Sequence, residues 1–179
     1  MKLKGTTLGL LPLLFYNIHA GYWLIQRHPE SLLWACHVAS VLIGLGMFFA
    51  APRLLAAGML WVTFGNLFWL LYLATGGEFL PTSLLTHVGS LIVGLIGLRR
   101  FGFPANTYPR ALLGLIVLVF VSRFTPPGEN VNLAHRIGDG WEAVFPSHRI
   151  YLLSLFVATG VCFFFMELVY RRILKRSEI

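Results

Sequence analysis

Apolar residues run in blocks much longer than the elements of a soluble domain, and polar residues are confined to short breaks between them. A run of about 20 apolar residues is the length at which a helix crosses the ~30 Å hydrocarbon layer of a bilayer. The blocks predict an all-α, polytopic membrane protein with six transmembrane helices at 5–25, 32–51, 54–75, 82–98, 111–124 and 150–170. The first block follows Lys2 and Lys4 as a signal peptide's apolar part would. No A-x-A-like site follows it, however, and it carries Tyr16, Asn17 and His19 into Tyr22 and Trp23, so it reads as a retained helix. The fourth block, about 17 residues, sits at the lower limit for a span. The fifth is about 21 Å long at the helical rise, so it must thin the bilayer or recruit Tyr108 and Arg110 as interface anchors, unless it is re-entrant. The one long polar stretch is 125–149, with Asn130, Asn132, His135, Asp139, Glu142 and His148.

Composition excludes a water-soluble globule: 57% of residues are hydrophobic, 12% are charged and the mean hydropathy is +0.75. No internal repeat or second domain interrupts residues 1–179. The net charge of +7 would suit a nucleic-acid binder until the basic residues are placed on the six-helix pattern. Of 14 Lys and Arg, ten fall on one side and four, Arg27, Arg123, Arg136 and Arg149, on the other. Cytoplasmic loops hold such an excess, which places both termini in the cytoplasm, the chain in the plasma (inner) membrane and the 125–149 loop outside. The basic edge then suits anionic lipid headgroups, so the expected partners are membrane lipids and not nucleic acid. Cys36 and Cys162 lie about 6 Å and 18 Å below the outer boundary by the helical rise, too far apart to pair.

On this topology all six histidines fall in the outer half, with His19, His37 and His87 each about 7–9 Å below it. Ionisable groups at membrane depth point to function, although a histidine near an interface also serves simply by donating to a carbonyl. In the fourth helix Ser83, His87, Ser90 and Gly94 recur along one face, and the second offers Cys36, Ser40 and Gly44 beside His37. Helix packing in lipid accounts for the small residues, but it requires neither a histidine nor a cysteine. Cys36 is a free thiol near imidazoles, the pairing that nucleophilic catalysis needs; as a lone cysteine on an apolar face it also serves packing. Asn66 lies deeper, on the third helix. In the loop, His135 and Asp139 are four apart, which predicts a short helix capped by Asn132 that stacks them as an oriented imidazole, a two-ligand site or a solvated pair. Glu167 can reach the basic residues at the other end.

Four features stand together: LLFYN at the end of the first helix, LLWACHVAS at the start of the second, LLTHVGS in the fourth ahead of a basic loop, and NVN before FPSHRIYL. In these the chain resembles a family of six-span membrane lipid enzymes that includes the androgen-induced hydrolases, an ether-phospholipid acyltransferase and the bacterial YwaF-type proteins. The resemblance implies acyl transfer or hydrolysis of a lipid ester, with the nucleophile on Cys36 and the histidine on His87. This chain has Cys-His where the family has His-x-Cys, which makes Ser40, on the same face, a substitute nucleophile. His37, Ser40, Asn132, His135 and His148 would then bind substrate.

Three readings follow. The first is a lipid-ester enzyme at the extracytoplasmic leaflet, with Cys36 attacking, His87 as base and acid, and Asn66 or loop amides steadying the oxyanion; it needs no cofactor. The second is a haem or transition-metal protein using His19, His37, His87 and His148. The third is an accessory subunit bound to partner subunits of a membrane complex. Nothing in the sequence matches the paired broken helices of a transporter.

Overall fold

The computed structural model describes residues 7–175. The predicted start of the first helix at Gly5 and the basic residues Lys2, Lys4 and Arg176 lie outside them. Within that range the fold is all-helical, with six long helices: α1 (Leu10–Ile25), α2 (Ala35–Phe48), α3 (Pro52–Ala74), α4 (Pro81–Phe101), α5 (Tyr108–Ser122) and α6 (His148–Lys175). Four helical stretches, Thr7–Ile25, Pro52–Ala74, Pro81–Phe101 and His148–Leu174, are long and apolar enough to cross a membrane. Ala35–Phe48 and Tyr108–Ser122 are apolar but shorter.

The boundaries follow local chemistry that hydropathy does not carry. The second helix, predicted at 32–51, is trimmed at both ends. Pro29–Leu33 forms a separate 3-10 turn, and Trp34, at φ −56° and ψ 133°, separates it from α2. At the far end Ala50 turns left-handed (φ 51°) and the Ala51 N–H donates to the Gly46 carbonyl at 2.7 Å, a Schellman closure that delivers the chain to Pro52. The same closure ends α1, with Arg27 at φ 64°, and α3, with Gly76 at φ 92°. Pro52, Pro81 and Pro109 each sit in the first turn of their helices, where a missing N–H costs nothing.

The fifth helix starts at Tyr108 instead of 111 because a side chain from α6 caps it. Buried Glu167 accepts the backbone N–H groups of Asn106, Thr107 and Tyr108 at 2.8–2.9 Å, and Arg171 stands 3.8 Å away. A carboxylate there satisfies donors that a helix start leaves open and complements its dipole.

The core is built where α2, α3 and α4 meet, around Ile43, Met47, Leu55, Met59 and Leu60, with Phe163 of α6. Close approach needs glycine: a Cβ at Gly58 would lie 2.9 Å from the Ala39 carbonyl oxygen, and one at Gly97 2.9 Å from Met47 Sδ. The Ser83, His87, Ser90 and Gly94 stripe is buried here, as its spacing predicts. The outward faces carry exposed Leu67, Leu70, Leu71, Leu113, Phe120, Leu153 and Phe165, a surface suited to lipid.

The predicted helix in 125–149 does not form. The segment holds two short 3-10 turns, Pro127–Glu129 and Val131–Leu133, and both Asn130 (φ 45°) and Asn132 (φ 53°) adopt left-handed backbone that an α-helix excludes. Asp139 consequently pairs with Arg136 at 2.6 Å, on the surface, instead of stacking on His135. Asn130 Oδ1 accepts the His135 and Arg136 N–H groups, and the loop folds on itself.

Candidate active site

Three of the six histidines converge, and local geometry explains why these three. His19 comes from the last part of α1, His37 from the first turn of α2, and His87 from α4 where the helix widens to a π turn over Leu85–Gly89. Such a turn inserts a residue into the helical repeat and re-aims the side chains around it. The ring centroids of His19 and His37 are 4.3 Å apart, those of His37 and His87 6.2 Å. All three are buried, at 1%, 6% and 2% exposure.

Each imidazole uses Nδ1 on an oxygen. His37 Nδ1 lies 2.8 Å from the Ser31 carbonyl and His87 Nδ1 2.6 Å from Asn66 Oδ1; both oxygens are acceptors, so both rings carry the proton on Nδ1. The Trp23 indole N–H donates to His19 Nε2 at 2.9 Å, which makes that nitrogen an acceptor and leaves His19 Nδ1–H to donate to Thr82 Oγ1 at 2.8 Å. All three Nε2 atoms therefore carry lone pairs. His19 Nε2 and His37 Nε2 face each other at 3.0 Å, acceptor to acceptor, and no described group hydrogen-bonds His87 Nε2.

Asn66 is clamped to His87 twice, since its Nδ2 also donates to the His87 carbonyl at 3.3 Å, and Trp69 stacks on the imidazole at 4.7 Å between centroids. Asn66 thus orients the imidazole from behind and is not among the residues that line the cavity at this site. Asn66 and Trp69 are three apart on α3 and so share a face, which is the signal in the sequence that could have joined them. Cys36, in the first turn of α2, brings its sulfur to the same place: Cys36, His37 and His87 each offer a ligand atom within 4.8 Å of the others. Gly65 makes the room, because a Cβ there would stand 3.1 Å from Cys36 Cβ. Both cysteines are free thiols.

His19, Cys36, His37 and His87 form much of the polar part of the wall of a cavity of about 720 Å³. Trp61, Phe64, Phe68, Leu115, Phe156 and Phe163 make the rest of it apolar. Thr159 lines it too, 1% exposed, with a hydroxyl that has no partner among the described residues. At the rim stand His28, Glu78 and Glu129, with Asn132 and Leu133 from the 125–149 segment. His28 Nδ1 lies 2.8 Å from Glu30 and 3.9 Å from Glu129. A hydrogen bond from its own backbone N–H, and then His28, hold the Glu30 carboxyl below the usual range against the opposing effect of burial.

The other residues singled out from the sequence have hydrogen-bond partners of their own. Ser40 is fully buried, donates to the Thr86 carbonyl at 3.2 Å and accepts from Ser90 at 2.9 Å; it does not line the cavity. Asn132 accepts the Ala35 N–H at 2.9 Å and donates to the Leu33 carbonyl and Ser122 Oγ, fastening the loop to the start of α2. His135 and His148 bond the Ser122 and Leu133 carbonyls at 3.1 and 2.9 Å and stand outside the cavity. No family model matches the chain, and no curated protein or solved structure matches it either.

Proposed function

We propose that the protein is an integral membrane enzyme that transfers or hydrolyses the acyl group of a lipid ester, with Cys36 as nucleophile, His87 as base and acid, and Asn66 as the residue that orients His87. One observation carries the reading: the Cys36 sulfur and a His87 ring nitrogen lie within 4.8 Å of each other at the wall of a largely apolar cavity, and Asn66 Oδ1 stands 2.6 Å from His87 Nδ1. This is the logic of the Cys-His-Asn hydrolases, which is recognised by geometry and roles on any fold.

Cys36 Sγ attacks the ester carbonyl carbon while its proton passes to His87 Nε2, so no free thiolate has to stand in apolar surroundings. Collapse of the tetrahedral intermediate breaks the C–O bond, and His87 returns the proton to the departing alcohol. Water or an acceptor alcohol then attacks the thioester, loses its proton to His87 and regenerates the thiol. Trp34 and Trp69 line the cavity, neither indole N–H donates to another described residue, and these are the oxyanion donors we assign. The apolar walls accommodate acyl chain.

Six spans with both termini cytoplasmic complete the reading. The excess of Lys and Arg on the side of the α2–α3 and α4–α5 turns supports it, and with it a cavity rim at the extracytoplasmic leaflet. The test is release of p-nitrophenol from a p-nitrophenyl acyl ester by the protein in nanodiscs. Turnover that is lost in Cys36→Ala and in His87→Ala is the expected result; turnover unchanged in Cys36→Ala would end the proposal.

A further inference from the structure

The structure holds a contact that the acyl-transfer reading does not use. His19 Nε2 and His37 Nε2 lie 3.0 Å apart with a lone pair on each, since Ser31 takes the other proton position of His37 and Trp23 fixes His19 Nε2 as an acceptor. Two acceptors in contact are repulsive. A cation beside His37 Nε2 relieves the conflict, and that cation is either a proton or a metal ion.

We propose that Cys36, His37 and His87 are the ligands of a metal site for a soft divalent ion, of which Zn²⁺ is the best match, with its fourth position open to the cavity. The site goes beyond the acyl-transfer reading and competes with it, because the metal and the ester require the same sulfur. Three features support it independently of that reading. One ligand atom of each residue lies within 4.8 Å of the others, and tetrahedral zinc, with Zn–N about 2.1 Å and Zn–S about 2.3 Å, needs them about 3.4–3.6 Å apart, a contraction within reach of side-chain rotation. His37 and His87 both donate their Nδ1–H to oxygens, Ser31 O and Asn66 Oδ1. Outer contacts of that kind hold metal-bound imidazoles in place and keep Nε2 free to ligate. Finally, one thiolate and two imidazoles are the donor set that selects zinc over the hard oxygen-seeking cations. Haem is a poorer fit, since the His19 ring nitrogen 3.0 Å from His37 Nε2 occupies space that a porphyrin on His37 would need.

Binding displaces the Cys36 thiol proton, which leaves to water, and places a thiolate, two neutral imidazoles and one open position around the ion. A metalled site has no free nucleophile, so Zn²⁺ acts as an inhibitor of acyl transfer and the cavity side is where a water or anion completes the shell.

The test uses the whole protein in nanodiscs, stripped with EDTA under reductant and titrated with Co²⁺ as a spectroscopic stand-in for zinc. The expected result is one Co²⁺ per chain, with a thiolate-to-cobalt charge-transfer band and the intense visible bands of tetrahedral cobalt, all bleached by Zn²⁺. Cys36→Ser removes the charge-transfer band, Cys162→Ser keeps it, and His37→Gln or His87→Gln weakens binding at least ~100-fold. Absence of the band in the unaltered protein overturns the proposal without recourse to a variant and leaves a shared proton as the cation. A band that survives Cys36→Ser, or affinity unchanged in His37→Gln, overturns it as well. Acylation of Cys36 is measured separately in EDTA-treated protein: adduct without a band leaves acyl transfer standing and removes the metal, while a band without adduct does the reverse.

Discussion

Replacing Asn66 by Ala removes the group that fixes the His87 ring without touching the sulfur, the imidazole or the apolar wall. The 2.6 Å bond to His87 Nδ1 and the 3.3 Å bond to the His87 carbonyl are both lost. Trp69 still stacks on the ring, so the imidazole keeps its plane but can rotate within it. Loss of one partner from a partly buried hydrogen bond costs about 1–3 kcal/mol. If that bond holds His87 only in the productive orientation, the cost appears in the barrier as a roughly 5- to 150-fold slower acylation, at 1.36 kcal/mol per decade. The assay is single-turnover acylation of Cys36 by an activated ester in nanodiscs, followed by the mass of the intact chain. An orienting role lowers the rate constant and leaves half-saturation nearly unchanged, since Asn66 binds His87 and not the ester. Asn66→Asp keeps an acceptor oxygen opposite Nδ1 and restores most of the rate. A purely structural role would instead lower thermal stability in both variants with a normal rate constant in the folded fraction. An unchanged rate constant in a folded Asn66→Ala protein would refute the assignment.

Other outcomes follow from the same contacts. Glu167→Ala leaves the N–H groups of Asn106, Thr107 and Tyr108 without their acceptor and destabilises the fold by ~3 kcal/mol in denaturant unfolding from mixed micelles, with Glu167→Gln losing about half as much. Ala50 pays for a left-handed backbone at φ 51°, so Ala50→Gly raises stability by about 0.5–1 kcal/mol in the same assay. Glu30 has its carboxyl pKa lowered by folding, so its contribution is fully present above the ordinary carboxylate pKa and is lost as pH falls through the lowered value. Melting curves of the wild type and Glu30→Gln should therefore differ at neutral pH and converge in strong acid.

Helix number and order were legible because apolar runs of span length leave few alternatives, and α1 to α6 fall on the six predicted blocks. What hydropathy could not carry were the ends. Those depend on prolines that open helices at 52 and 81, on left-handed Arg27 and Ala50, and on a carboxylate arriving from 167 to start a helix at 108. The candidate site was half legible. The helical rise put His19, His37 and His87 at one level, and the structure brings them together. His135 and His148, which the sequence also offered as site residues from the outer loop, bond backbone carbonyls instead. The predicted helix through Asp139 failed because spacing of four was read as helical where two asparagines hold left-handed backbone. The π turn that aims His87 has no signature in the residue pattern.

The central claim is that Cys36 carries the acyl group, and the most direct measurement is the mass of the Cys36 peptide after quenching a reaction with an activated acyl ester in acid. The account predicts one acyl group on Cys36, removed by neutral hydroxylamine as a thioester is, and none in folded His87→Ala on the same timescale. An unmodified Cys36 in protein that is turning the ester over, or an adduct on another residue, would contradict it.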